Sequence, residues 1–177
     1  MSETAAMLGV IGGSGLGRID ALVVEGALET PTPFGPPSAP LLRGRLGTLR
    51  LVFLPRHGAG HAIAPHRINY RANLWALHAA GVGGVIAVST VGGIHPRMTP
   101  GSLVLPDQII DYTWGRESSF FDGVSADLQH FDFTRPFRPG LGARLRQAAA
   151  QSGIPLIEGG VYGATQGPRL ETAAEIE

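Results

Sequence analysis

Met7-Leu8-Gly9-Val10-Ile11-Gly12-Gly13-Ser14-Gly15-Leu16 holds the first sheet strand and the turn after it. A short apolar run that stops at paired glycines reads as a buried strand entering a tight turn. Downstream, Leu41 to Leu46 and Thr48 to Leu54 form a second apolar pair about Gly47, the pattern of a hairpin whose second arm ends at Pro55. Between them Thr30 to Pro40 carries five prolines and reads as a surface excursion. Gly84 to Ser89 (Gly-Val-Ile-Ala-Val-Ser) is a continuous apolar stretch closed by Gly92-Gly93, which predicts a strand buried on both faces.

Helical periodicity fills the gaps. From Arg67 to Ala80 the residues Ile68, Ala72, Trp75, Ala76 and Ala79 recur at three- and four-residue spacing, and Gly81 stops the pattern. Further on the pattern predicts a strand over Ser102 to Ile110, a helix over Leu141 to Ser152 and a strand over Leu156 to Tyr162. Gly167-Pro168 is expected to open a last helix, with Glu171 and Glu175 near its amino end. Asp111 to Pro139 is a long aromatic and polar excursion, longer than connections usually are, and is expected to serve function or an interface. Strands alternating with helices imply an α/β fold: a single domain over residues 1–177 around a mostly parallel, twisted mixed sheet flanked by helices. Ligands of such sheets sit beyond the carboxyl ends of the strands.

Composition prunes the chemistry. The chain has 177 residues, no cysteine, no lysine among its 14 basic residues, and zero formal charge. Disulfides, thiolate ligands, a cysteine nucleophile, a Walker lysine and Schiff-base chemistry are therefore excluded. A balanced charge points to a small-molecule ligand rather than nucleic acid or a membrane surface. With no apolar run of membrane length and no leader pattern at Met1 to Met7, the expectation is a cytoplasmic protein.

Two strand ends offer groups suited to an oxyanion. Gly12, Gly13 and Gly15 let backbone amides approach an anion beside the Ser14 hydroxyl. A dinucleotide fingerprint is disfavoured, because the sixth position counted from Gly13 is Arg18. After the hairpin, Arg56 supplies a planar fork next to the His57 imidazole. A metal alternative through His57, His61 and His66 conflicts with the intervening Gly58, Gly60 and Pro65, which deny them one helical face. Ser89 and Thr90 add two hydroxyls at a third strand end, with a structural cap as the competing reading. Thr165-Gln166-Gly167-Pro168-Arg169 offers amide and guanidinium groups for sugar or base, or else an ordinary helix entry.

Seven collinear segments resemble the purine nucleoside phosphorylase family, within it the methylthioadenosine and S-methyl-5'-thioinosine phosphorylase branch. They are Gly9-Val-Ile-Gly-Gly-Ser-Gly-Leu16, Thr32-Pro-Phe-Gly35, Pro55-Arg-His-Gly58, Pro65-His-Arg-Ile-Asn-Tyr-Arg-Ala-Asn73, Val91-Gly-Gly-Ile94, Pro106-Asp-Gln-Ile-Ile-Asp-Tyr-Thr113 and Thr165-Gln-Gly-Pro-Arg-Leu-Glu-Thr172. The resemblance implies phosphorolysis: inorganic phosphate attacks the anomeric carbon of a 5'-methylthio purine nucleoside and releases the purine, a pentosyl transfer in purine salvage. It implies no metal or organic cofactor. Carried onto this chain, Ser14, Arg56, His57, Ser89 and Thr90 hold phosphate, Gln166 and Leu170 border ribose and base, and Glu171 lies where substrate preference is set. It also implies a homotrimer in which a neighbour's His130 completes the pocket for the 5' substituent.

The chain departs from the family where Ser89-Thr90 replaces the usual Asn-Ala or Thr-Ala. Family members also continue for roughly a third again of this length, so the base-protonating residue and the groups that separate 6-oxo from 6-amino purines are expected beyond Glu177, outside a C-terminally incomplete domain. A chain without that general acid is expected to lose about two to four powers of ten in rate. The rivals are a methylthioadenosine or general purine nucleoside phosphorylase and, from another class, a non-catalytic nucleoside- or phosphate-binding fragment. A nucleoside hydrolase is disfavoured because the acids are too scattered for a metal and water site.

Overall fold

The computed structural model describes residues 7–121 and 130–177. Their contacts group into two compact units, residues 7–90 with Arg116–Phe120, and residues 91–115 with Phe121 and 130–177.

The first unit is built on five strands, β1 (Met7–Gly12), β2 (Val23–Leu28), β3 (Leu41–Leu46), β4 (Leu49–Pro55) and β5 (Val82–Val88), in the order β2-β3-β4-β1-β5. β1 runs parallel to both β4 and β5, while β2, β3 and β4 form an antiparallel meander. Alternation along β4 explains the core. Leu51 and Phe53 point to one side with Val10, and Val52 and Leu54 point to the other with Leu41, Ala76 and Leu77. The strand buried on both faces is therefore β4; β5, expected in that role, is half-buried along most of its length and ends the sheet order. β2 falls outside the elements expected above. Its Val-Val-Glu-Gly-Ala-Leu sequence breaks alternation at a register shift between Val24 and Gly26, and Glu25 ion-pairs with Arg45 at 2.7 Å.

Helix α1 (Tyr70–Ala79) covers one face of this sheet. It starts three residues later than periodicity predicts because Asn69 caps it, accepting from the Ala72 amide at 3.0 Å, and Pro65–Arg67 forms a separate 3-10 turn. The proline-rich excursion is stapled to this helix. Asn69 donates to the Phe34 carbonyl at 2.6 Å, and buried Asn73 accepts from the Ser38 amide at 2.7 Å. Phe34, Trp75 and Phe120 cluster at centroid distances of 5.4 to 6.2 Å, with the Arg71 guanidinium over Phe34 and paired to Glu117.

The second unit holds β6 (Leu103–Leu105), β7 (Gln108–Asp111), α2 (Pro139–Gln151), β8 (Leu156–Glu158), β9 (Val161–Ala164) and the short α3 (Ala173–Ile176). Two strands expected to be continuous are each split. β6 pairs with β8 and β7 with β9, both in parallel. The break falls where Pro106 lacks a ladder donor and where Gly159 and Gly160 take positive φ, and Asp107 bridges it by accepting from the Gly160 amide. Among the described residues, four of the six strand pairings are parallel. α2 begins two residues before the expected start, with Pro139 in its first turn. The last helix is a larger correction. It starts at Ala173 rather than Pro168, since the Glu175 carboxylate reaches back to the Thr172 amide at 2.8 Å and fixes the start there. In the Asp111 to Pro139 excursion, residues 112–121 and 130–138 carry no helix or strand. Among the described residues no helix is long and apolar enough to cross a membrane.

Candidate functional site

Register brings the site together. Gly12 lies opposite Pro55 on one side and Val88 on the other, so the residues that follow β1, β4 and β5 emerge side by side. Ser14, Arg56, His57, Ser89 and Thr90, scattered over 77 positions of sequence, belong to those three exits.

The glycines at the end of β1 are required by what surrounds them. A Cβ on Gly12 would collide with the Leu16 carbonyl and lie 2.7 Å from the Phe53 ring. At Gly13 it would lie 2.6 Å from Arg56 Nη2 and 2.8 Å from the Val88 carbonyl. The guanidinium therefore sits against the turn in space that only glycine leaves open. Backbone bonds complete the turn, with the Leu16 amide donating to Gly13 O and the Arg56 amide to Gly12 O, both at 3.0 Å.

Hydrogen bonds then lock the polar groups. Arg56 Nη1 donates to Ser89 Oγ at 2.6 Å, and Arg56 Nε to His57 Nε2 at 3.2 Å. Thr90 Oγ1 donates to the Ser14 carbonyl at 2.8 Å, closing the β1 and β5 exits on each other. His57 is 7% exposed, and its Nδ1 lies 2.9 Å from the Ile63 carbonyl. Among the described residues half-buried Arg56 has no carboxylate partner, and its Nη2 has no acceptor. A fixed, unneutralised guanidinium bonded to the half-buried Ser89 hydroxyl is the electrostatic signature of an anion site. A cavity of about 130 Å³ adjoins it, lined by Ile11, Arg56, Tyr70, Asn73, Leu74 and Ala87.

The remaining candidates belong to the second unit. The Gln166 side-chain carbonyl accepts from the Trp114 amide at 3.3 Å, and Leu170 is 85% exposed. Glu171 accepts from the Thr165 hydroxyl at 2.6 Å, and that bond, followed by its own backbone amide, holds its carboxyl below the usual range. Arg169 grips both oxygens of Glu175 at 2.8 and 2.7 Å and donates to the Leu170 carbonyl. This bidentate clamp, helped by the Thr172 amide, lowers the Glu175 carboxyl to about 2. His130 is exposed; the Asp132 carboxylate nearby in sequence accepts from Thr134 Oγ1 and from its amide, which holds it below its usual range.

Two contributors escape a reading by residue type. The Ile63 carbonyl is a backbone acceptor that no side-chain pattern announces. His61, considered above only as a metal ligand, stacks on His57 with centroids 5.2 Å apart and planes 14° from parallel. Its one sequence signal is its place after Gly58 and Gly60, in a turn where His61 itself takes φ 59°.

The phosphorylase superfamily profile matches residues 7–177. A probable S-methyl-5'-thioinosine phosphorylase of Xanthomonas campestris is 47% identical, the match covering 99% of this chain and 70% of the relative. The 6-oxopurine nucleoside phosphorylase of Pyrococcus furiosus is 43% identical over 96% of this chain and 64% of its own. Among solved structures, methylthioadenosine phosphorylase of Schistosoma mansoni in complex with adenine superposes with a TM-score of 0.90 at 34% identity, covering 97% of this chain and 69% of that one. With a profile that spans nearly its whole length and relatives well above 30% identity, the chain belongs to the phosphorylase superfamily.

Proposed function

We propose that this protein catalyses phosphorolysis of a 5'-methylthio purine nucleoside, with S-methyl-5'-thioinosine as the first substrate to test. The observation that carries this reading is the locked trio of strand exits, in which Arg56 keeps its Nη2 hydrogens unpaired beside Gly13 while Thr90 ties down the Ser14 carbonyl. Phosphate held there by Ser14, Arg56, His57, Ser89 and Thr90 attacks the anomeric carbon. The new C1'–O bond forms as the C1'–N9 bond breaks, and the departing purine keeps the electron pair and takes up a proton. The products are hypoxanthine and 5-methylthioribose 1-phosphate. Ser89 suits this role because its oxygen accepts from Arg56 while its own hydrogen stays available to donate. Fixed donors around a nucleophile lower the cost of orienting it and favour the cationic ribose of the transition state. Gln166, Leu170 and Glu171 are proposed to border the nucleoside, and His130 to complete a neighbour's pocket in a homotrimer.

Relatives bearing different names support the reaction class more firmly than the base. The S-methyl-5'-thioadenosine phosphorylase of Mycolicibacterium smegmatis is 44% identical, close to the thioinosine relative. The test is therefore run with S-methyl-5'-thioinosine, methylthioadenosine and inosine, each with and without phosphate, following free purine by chromatography. Phosphate-dependent hypoxanthine release fastest from the thioinosine supports the proposal. Release without phosphate overturns it in favour of hydrolysis, and nucleoside binding without release favours a binding protein. Light scattering on the eluted protein tests the trimer, and a fully active monomer removes the shared-pocket role of His130.

A further inference from the structure

We propose that Asn73 is a positioning residue for the anion site: from within α1 it grips Ser38, and Ser38 in turn braces the turn that carries Arg56 and His57. This rests on the anion reading above and adds a residue that lies outside the three strand exits.

An asparagine at this position calls for a reason. It is 3% exposed and one helical turn from the core residues Ala76 and Leu77, yet asparagine is a poor helix former, and its amide costs stability when buried without partners. Both ends of the amide are spent on one residue. Asn73 Oδ1 accepts from the Ser38 amide at 2.7 Å, and Asn73 Nδ2 donates to Ser38 Oγ at 3.0 Å. Pro36 and Pro37 have no N–H and a fixed φ, so Ser38 offers the first amide donor after Gly35, at the end of a stiff segment. One turn earlier in α1, Asn69 donates to the Phe34 carbonyl at 2.6 Å. Residues 34 and 38 are therefore each tied to the helix entry by an asparagine.

The carbonyl of Ser38 faces the site. A Cβ built on Gly58 would lie 3.2 Å from that oxygen and 3.2 Å from Ile63 Cδ1, so Gly58 is closed in by both. Gly58 takes φ 72°, and its amide donates to the Pro55 carbonyl at 3.0 Å, a bond that spans Arg56 and His57. Moving Ser38 moves the wall against which this turn is formed. Asn73 and Arg56 also line the same cavity of about 130 Å³, where empty space rather than packing lies between them. The link from helix to turn then runs through Ser38.

Titration calorimetry of the full chain with inorganic phosphate, and separately with S-methyl-5'-thioinosine, tests the role. Asn73→Leu keeps the size of the side chain and removes both bonds. It is expected to raise the phosphate Kd by about 10- to 100-fold with the nucleoside Kd little changed, since slight misplacement of a fixed group costs this much. Ser38→Ala deletes one bond and is expected to raise the phosphate Kd several-fold, while Ser38→Thr, which keeps the amide and the hydroxyl, stays near wild type. Combining the variants supplies the readout that general loosening would not give: in the Asn73→Leu background Ser38→Ala is expected to add nothing, because its partner is already gone. An unchanged phosphate Kd in Asn73→Leu, equal rises for phosphate and nucleoside, or fully additive effects overturn the proposal. If Asn73→Leu fails to fold, Ser38→Ala against Ser38→Thr decides, and equal phosphate Kd values in those two overturn it. The two levels fail differently: no phosphate binding to the wild-type chain removes the anion reading and the role built on it, whereas wild-type binding that the variants leave intact removes the Asn73 assignment alone.

Discussion

The polar cluster at the ends of β1, β4 and β5 and the segment from Thr165 to Glu175 both consist of interlocked side chains, yet opposite principles hold them. In the first, Arg56 meets Ser89 across 33 residues and Thr90 meets Ser14 across 76. In the second, Thr165 meets Glu171 and Arg169 meets Glu175 across six residues, and Thr172 meets Glu175 across three. The first is placed by sheet register and backed by Leu51, Val52, Phe53 and Leu54, each at most 1% exposed. The second is exposed throughout its hydrogen-bonded network and rests on local charge pairing. Geometry borrowed from a buried core is costly to disturb, because shifting it disturbs close packing; geometry made by exposed ion pairs is screened and weakly held.

That contrast is most directly broken at Arg56. Arg56→Ala is expected to lower kcat/KM at subsaturating phosphate by about 100- to 1000-fold, the scale of removing a key electrostatic donor. Arg56→Lys should recover little, because a point charge cannot reproduce the fork. A loss below tenfold in steady-state rates would place the anion elsewhere. Gly13→Ala tests whether register-borne geometry is as unforgiving as the contacts imply. Its Cβ would press on Nη2 and the Val88 carbonyl, so phosphate KM should rise by about 10- to 100-fold while circular dichroism stays native. Thr90→Val removes one donor to the Ser14 carbonyl, and a net bond of about 1 kcal/mol converts to a several-fold rise in the same KM.

The exposed segment should respond to pH instead. Glu175 is depressed from 4.5 to about 2, first by Arg169 and then by the Thr172 amide. A depressed carboxyl contributes stability that is fully present above about pH 4.5 and is lost as pH falls through about 2. Hydrogen exchange should therefore show residues 169–177 loosening over that acid range, and Glu175→Gln should already be loose at neutral pH. Equal protection of this segment in the variant and the wild type would remove the clamp. The smallest effect is expected at Leu170. At 85% exposure, Leu170→Ala should change the midpoint of denaturant unfolding by less than about 0.5 kcal/mol equivalent, so any larger effect on nucleoside KM would be functional.

Much of the first unit was legible because its signals are local. β1 matches the run that stops at Gly12, the hairpin arms match β3 and β4, and α1 lies within the periodic stretch that ends before Gly81. Arg56, His57, Ser14, Ser89 and Thr90 stood out as polar groups following apolar runs. The failures have specific causes. β5 looks as apolar as β4, and only the packing shows that β4 contributes to core clusters on both faces while β5 is half-buried or exposed along its length. Pro106 and Gly159-Gly160 break two apolar runs at matching points, which becomes visible once β6 pairs with β8 and β7 with β9. At Pro168 a helix-start signal was present, but the acid that closes the helix start lies at Glu175, so competition between two local signals decided the boundary.

Sequence by itself determined which residues are apolar, where the chain must turn, and which polar groups stand at the ends of strands, because propensity and periodicity act over a few residues. It also excluded lysine and cysteine chemistry outright. Only the tertiary structure decided that Gly12 sits between Pro55 and Val88, that Arg56 is held from two edges, and that His57 Nδ1 faces the Ile63 carbonyl. Those outcomes depend on contacts between residues far apart in the chain, and such contacts exist only once the sheet register has been set by burying β4.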